Sequence, residues 1–196
     1  MKLRLATGNR GKVADFQALG LPVTMLEGFS SLPPVEETEA TFEGNAWLKA
    51  EHYSRFSADA VLADDSGLEV EALGGAPGVY SARFAGRHGD DAANNRLLLE
   101  KLQGVPPAQR GAQFVCVLAV ARQGVALATF RGTAAGWILE APRGAGGFGY
   151  DPLFYSPAAG ASFAELAPER KAAFSHRGAA ARLLLKWLSA QPEESD

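Results

Sequence analysis

Residues 112–133 read AQFVCVLAVARQGVALATFRGT, two apolar runs separated by Gln123-Gly124. The pattern predicts a β-hairpin with its turn at that dipeptide, and a hairpin makes its two strands antiparallel neighbours. Elsewhere strand-like and helix-like segments interleave. KLRLA (2–6) reads as a short opening strand, KVADFQALG as a helix stopped by Gly20 and Pro22, and LPVTMLEG as a second strand. TFEGNAWLKAEHYSRFS reads as a helix, VLADD and GLEVEAL as strands, DDAANNRLLLEKLQG as a helix ending at Gly104, and a C-terminal helix follows SHR. Interleaving favours an α/β class, and the hairpin argues against a purely parallel sheet. The expectation is a mixed β-sheet flanked by helices. With 196 residues, 47% of them apolar, the chain is long enough for a substantial core, and one domain spanning 1–196 is expected.

Helical spacing assigns faces. Phe42, Ala46, Ala50 and Tyr53 mark one buried side of the 41–57 helix, and Asn45, Lys49 and His52 lie opposite. Ala180, Leu183, Leu184, Trp187 and Leu188 form one apolar stripe on the last helix. The single cysteine, Cys116, excludes an intramolecular disulfide and sits in an apolar run as a core thiol. A formal net charge of −3 gives no general basic footprint, so a nucleic-acid partner is not expected and any phosphate binding must be local. The longest apolar runs are too short to span a bilayer, and MKLRLATGN lacks a signal-peptide core. A cytoplasmic protein without a membrane partner is expected. The polar tail QPEESD is expected to fray.

The chemistry concentrates in a few segments. VLADDSGLEV places Asp64 and Asp65 between apolar runs. Successive strand residues face opposite ways, so at most one of the two would face a core, and a buried unpaired charge is costly. The pair is therefore expected at a strand end facing something cationic, with Ser66-Gly67 turning the chain. Gly8-Asn9-Arg10-Gly11-Lys12 lacks the spacing of a Walker A loop. It still leads from a strand into a helix and offers backbone N–H groups and an ammonium to an anion. Gly144 to Gly149 matches G-x-G-x-x-G in letters only, because Pro142 precedes it and Tyr150-Asp151-Pro152 follows, leaving no helix. Glu36 and Glu37 lie just before a helix, either as dipole complements or as oxygen ligands with Asp64 or Asp65 for Mg²⁺. Ser175 is placed to cap the last helix, which would put Arg177 in its first turn, where positive charge is unfavourable and a ligand role is the alternative.

Five segments in order, ATGNRGKV, EETEATFEGNAWLKA, ADDSGLEVEALGGAPGVYSARFAG, GGFGYDPLF and AELAPERKAAFSHRG, give the chain a resemblance to the inosine triphosphate pyrophosphatase family over nearly its whole length. The resemblance implies an elongated, two-lobed α/β fold with a central active-site cleft, and a homodimer. It implies Mg²⁺-dependent hydrolysis of non-standard purine nucleoside triphosphates (dITP, ITP, XTP) to the monophosphate and pyrophosphate, which cleanses the nucleotide pool. Carried over by motif, Thr7, Gly8, Asn9, Arg10, Gly11 and Lys12 bind the triphosphate, and Lys49 helps offset its charge. Asp65 is the catalytic carboxylate, Ser66 touches substrate, and Glu36 or Glu37 joins Asp65 in holding the metal. Phe148, Gly149, Tyr150, Asp151, Lys171, His176 and Arg177 line the nucleoside site. The competing readings are a non-catalytic nucleotide-binding regulator and a pyrophosphatase acting on other modified nucleotides.

Overall fold

The computed structural model describes residues 1–191, with Arg10 described by its backbone alone. The tail expected to fray lies, beyond Gln191, outside the described residues. In chain order the elements are β1 (Leu3–Leu5), α1 (Arg10–Ala18), β2 (Val23–Met25), α2 (Phe42–Ser54) and β3 (Ala60–Val70). Then come α3 (Asp91–Lys101), β4 (Gly111–Arg122), β5 (Val125–Ile138), β6 (Phe154–Ser156), β7 (Ala161–Ser162), α4 (Pro168–Phe174) and α5 (His176–Ser189). The seven strands form one mixed sheet in the order β2-β1-β3-β4-β5-β6-β7. β1 runs parallel to both β2 and β3, whereas β6 runs antiparallel to β5 and β7. β4 and β5 are the expected hairpin. Gln123 (φ 51°) and Gly124 (φ 80°) both take positive φ, the conformation a two-residue turn needs. Among the described residues no helix is long and apolar enough to cross a membrane.

The described chain divides into two compact units: residues 1–65, 116–132 and 177–191 in the first, and 66–115 and 133–176 in the second. The first is built on Leu3, Leu5, Phe16, Leu62, Leu118 and Leu184, with the Cys116 thiol fully buried among them as expected. The second is built on Leu68, Leu98, Phe114, Ile138, Phe154 and Phe163.

Three local expectations change. β3 runs unbroken through Asp64, Asp65, Ser66 and Gly67, so the carboxylate pair lies mid-strand and Ser66-Gly67 make no turn. α5 begins at His176, inside SHR and not after it; Arg177 lies in the first turn, as a helix start just after Ser175 requires, but His176 and Arg177 are buried, and Ser175 also closes α4 as its C-cap. Leu183 is 47% exposed; the buried side of α5 runs through Ala180, Ala181 and Leu184, a few tens of degrees from the stripe read off the sequence.

Candidate active site

β3 sets the frame of the first unit. Both aspartates are buried, Asp64 at 3% and Asp65 at 7% exposure, although burial of even one was expected to be costly. Each has its own lysine. Lys12 Nζ from α1 donates to both carboxylate oxygens of Asp64, at 3.0 and 2.8 Å. Lys49 Nζ from α2 donates to Asp65 Oδ1 at 2.8 Å and to Glu37 Oε1 at 2.7 Å. Because neighbouring strand residues face opposite ways, two separate helices must supply these cations. Arg177 Nη1 in the same unit donates to Asp15 Oδ2 at 3.3 Å, and its charge also acts on Asp64.

The electrostatics of the adjacent pair diverge. Burial alone would raise Asp64, but the charges of Lys12, Lys49 and Arg177 and the Lys12 hydrogen bond hold it far below the usual carboxylate range. Burial also raises Asp65, and there it prevails: Lys49 opposes it, Glu37 and Asp64 reinforce it, and the carboxyl is pushed up to about 6. Burial would lower Lys49, but Asp65, Asp64 and Glu37 outweigh it and raise the ammonium. Asp65 Oδ2 is buried and accepts no hydrogen bond. Such an atom is an open coordination position in an otherwise satisfied cluster.

The sequence reading of α2 misplaced one residue. Asn45 is fully buried and does not share the polar face of Lys49. Its side chain accepts from Glu39 N at 3.0 Å and donates to Glu39 O at 3.2 Å, lashing the acidic loop to the helix. Gly44 beside it allows that approach, since a Cβ there would lie 2.7 Å from Glu39 Cβ. Together they deliver Glu37 to Lys49, whereas Glu36 is exposed and takes no part. A Gly-Asn pair inside an amphipathic helix, where both residues are poor formers, was the available signal.

The loop before α1 also departs from a simple anion cradle. Thr7 Oγ1 accepts from Asn9 N at 3.1 Å, and Asn9 Oδ1 caps α1 by accepting from Gly11 N and Lys12 N at 2.8 and 3.2 Å. Those helix N–H groups are occupied; Gly8, Asn9 and Gly11 are exposed, and Lys12 is half-buried on Asp64. The Arg10 side chain lies outside the described structure. Ser66 follows Asp65 on β3 and is partly buried.

The second unit holds a different group. Asp151 Oδ2 accepts from Phe148 N at 2.9 Å and from Lys171 Nζ at 2.5 Å. Lys171 Nζ also stands 4.8 Å from the centre of the Phe148 ring, a ring left 39% exposed. Gly147 is required here: its φ is +70°, and a Cβ would collide with the Asp151 carboxylate. His176 is buried and stacks on Phe114, ring centres 4.7 Å apart at 14°. Tyr150 is buried. Its hydroxyl donates to Ser81 O at 2.8 Å inside the core, and burial, then the Asp91 charge, raises it well above the usual phenol range. As expected, no helix follows the Gly144–Gly149 run.

Of the residues singled out in the sequence, Lys12, Glu37, Lys49, Asp64 and Asp65 meet in one ion-pair cluster, and Phe148, Asp151 and Lys171 meet in another group. Within the first unit, a charged strand pair matched to two helix-borne lysines is a layout for handling an anionic group and a cation; within the second, an aromatic–lysine platform is a layout for an aromatic ligand.

The family model of the Ham1 family matches residues 3–187, and the chain belongs to that family. It is 52% identical over 188 residues to a dITP/XTP pyrophosphatase from Exiguobacterium sibiricum, covering 94% of this chain and 95% of that one. It is 50% identical over 190 residues to a dITP/XTP pyrophosphatase from Thermus thermophilus, covering 95% and 91%. The Staphylococcus aureus Ham1 protein structure superposes with a TM-score of 0.87 at 40% identity, covering 98% of this chain and all of that one.

Proposed function

We infer that this protein is a pyrophosphatase of non-standard purine nucleoside triphosphates, cleaving dITP, ITP and XTP between the α- and β-phosphates to the monophosphate and pyrophosphate. The observation that carries the reading is Asp65: a buried strand carboxylate whose Oδ1 is held by Lys49 while Oδ2 is left without a hydrogen bond. The names of the relatives support the substrate class.

Among the described residues no three or more His, Cys, Asp or Glu side chains gather as a metal cage. Mg²⁺ is commonly held by one or two carboxylates together with substrate phosphates, and the hard oxygens of Glu37 and Asp65, one with an open position, fit that demand. Glu37 and Asp65 are the residues that would hold it, and when bound it supplies charge neutralisation and polarisation of the phosphates. The chain's own residues do the rest. Lys12 and Lys49 lower the repulsion between the polyanion and an incoming water. Asp65 is placed to orient or deprotonate that water. Asp64, locked to Lys12, keeps its charge and fixes the Lys12 ammonium. The attacking water then breaks the phosphoanhydride bond, with pyrophosphate and the monophosphate as products.

In the second unit, Phe148 offers its exposed face for stacking on the base. Lys171 and His176 provide donors to the 6-oxo oxygen of hypoxanthine and xanthine. Against the 6-amino group of adenine those donors would face another donor, which supports strong discrimination. The resemblance that suggests this activity also suggests a homodimer in the cytoplasm.

The test is pyrophosphate release from ITP, XTP, dITP, ATP and GTP, each with Mg²⁺ and with EDTA. Release from the first three with Mg²⁺, and little from ATP or GTP, is expected. Binding of ITP without release would move the reading to a nucleotide-binding regulator, and orthophosphate as the product would mean a different bond is cut.

A further inference from the structure

The segment that carries Phe148 is clasped from outside by α3. Gly149 N donates to Asp91 Oδ2 at 2.7 Å, and Asn95 Nδ2 donates to Gly149 O at 2.8 Å. Asp91 and Asn95 are one helical turn apart, so they stand on the same face, and between them they fix both peptide groups of Gly149. One peptide group earlier, Phe148 N is held by Asp151. Three hydrogen bonds thus hold the backbone that carries the Phe148 ring.

α3 itself is a firm platform. Asp90 caps it by accepting from Ala93 N at 3.0 Å. Asn94 accepts from Ala85 N at 2.8 Å and donates to Ala82 O at 3.3 Å. At the other end the buried Arg110 donates to Leu102 O at 2.9 Å, satisfying a carbonyl of the helix C-terminus. Asn95 also carries a cost: its Oδ1 is buried without a hydrogen-bond partner. An apolar residue there would remove that unsatisfied acceptor, so stability gives little reason for an asparagine, and the contact it makes is with the Phe148 segment.

We propose that Asp91 and Asn95 are positioning residues that set the Phe148 platform through Gly149 and thereby the affinity for the purine base. The proposal rests on the reading of Phe148 as the base-stacking residue. It adds two residues that touch no substrate.

The experiment compares Asn95→Leu, Asp91→Ala and the conservative Asp91→Asn in the full chain. It measures amide exchange at Gly149 by NMR without nucleotide, then KM and kcat for ITP, then the melting temperature. Asn95→Leu and Asp91→Ala are expected to speed Gly149 exchange and raise KM for ITP about tenfold, the value of one hydrogen bond. In both, kcat should stay within about twofold and the melting temperature within about 2 °C. Asp91→Asn retains an acceptor for Gly149 N and is expected to stay near wild type. Unchanged exchange and KM would overturn the proposal. So would a KM rise that tracks a fall in melting temperature and is not rescued in Asp91→Asn, since that marks a structural prop. If the wild type does not cleave ITP, the functional reading fails, and Gly149 exchange alone decides the clasp: faster exchange in both variants supports it, and wild-type exchange overturns it.

Discussion

The lysines of the two units do opposite work. In the second unit Lys171 meets a single carboxylate, Asp151, which also takes the Phe148 N–H. That carboxylate is satisfied, and the ammonium beside an aromatic ring keeps N–H groups to offer a ligand. In the first unit, among the described residues, Lys12 meets Asp64, Lys49 meets Asp65 and Glu37, and Arg177 meets Asp15. One carboxylate oxygen there has no hydrogen bond at all. A buried carboxylate oxygen without a hydrogen bond is a demand for a cation, whereas a lysine over an exposed ring is a recognition surface. The comparison teaches that ion pairs of similar length serve different ends, depending on which partner is left in surplus.

The sharpest way to break this comparison is Asp65→Asn. If Asp65 is the surplus carboxylate, kcat for ITP falls by at least about 10²-fold. The metal-free protein, by contrast, gains or holds stability, because an ionised group pushed up to about 6 is disfavoured by the fold at neutral pH by up to about 3 kcal/mol. Urea unfolding in EDTA at pH 8 measures the second half. Full activity, or a large loss of stability, would make Asp65 an ordinary structural ion pair.

Asp64→Asn is expected to reverse the pattern in stability. Its carboxylate is matched to Lys12 with both oxygens bonded, and removing one partner of a buried pair costs about 3 kcal/mol. The same unfolding experiment checks it. If Asp64→Asn and Asp65→Asn shift the curve alike, the two positions are not different in kind.

The pH dependence separates the neighbours further. Asp65 has its folded value raised above an ordinary 3.8 to about 6, so the folded state binds the extra proton between those values. Its contribution to metal-free stability therefore falls as pH rises from about 4 through about 6 and is flat above. Asp64 is depressed, so its stabilisation is complete above the ordinary value and is lost only as pH drops below it. The stability gap between Asp65→Asn and wild type should accordingly widen from pH 4 to pH 7. A gap that is constant with pH would overturn the assignment of burial as the dominant cause.

These residues also mark what the sequence could and could not say. The hairpin, the buried side of α2 and the Cys116 thiol were legible because each depends on a period or a turn within one segment. The unbroken course of β3 was not. Two adjacent aspartates in an apolar strand look untenable until Lys12 and Lys49 arrive, and Lys12 lies 52 positions from Asp64. The choice of Glu37 over Glu36 was equally hidden, because it depends on Asn45 gripping the backbone of Glu39. Tyr150 was read with its neighbours as a site residue, but its hydroxyl finds Ser81 O in the core 69 positions away. Where a residue's role is fixed by a partner far along the chain, local pattern names the residue type and leaves its direction open.

The mildest test lies in the second unit. Phe148→Ala removes a ring that is 39% exposed beside the Lys171 ammonium, so the fold should lose little. Base–aromatic stacking is worth about 1–3 kcal/mol, which predicts a rise in KM for ITP of about fivefold or more with kcat nearly unchanged. The direction of selectivity matters more than the size. Stacking is tolerant of base identity, so ITP and GTP should weaken together, whereas Lys171→Met should weaken ITP and XTP and leave ATP no worse, because it removes a donor that only a 6-oxo base accepts from. If Phe148→Ala instead changes the ratio of ITP to ATP cleavage and Lys171→Met does not, the ring and the ammonium have exchanged roles, and the second unit reads the shape of the base and not its hydrogen bonds.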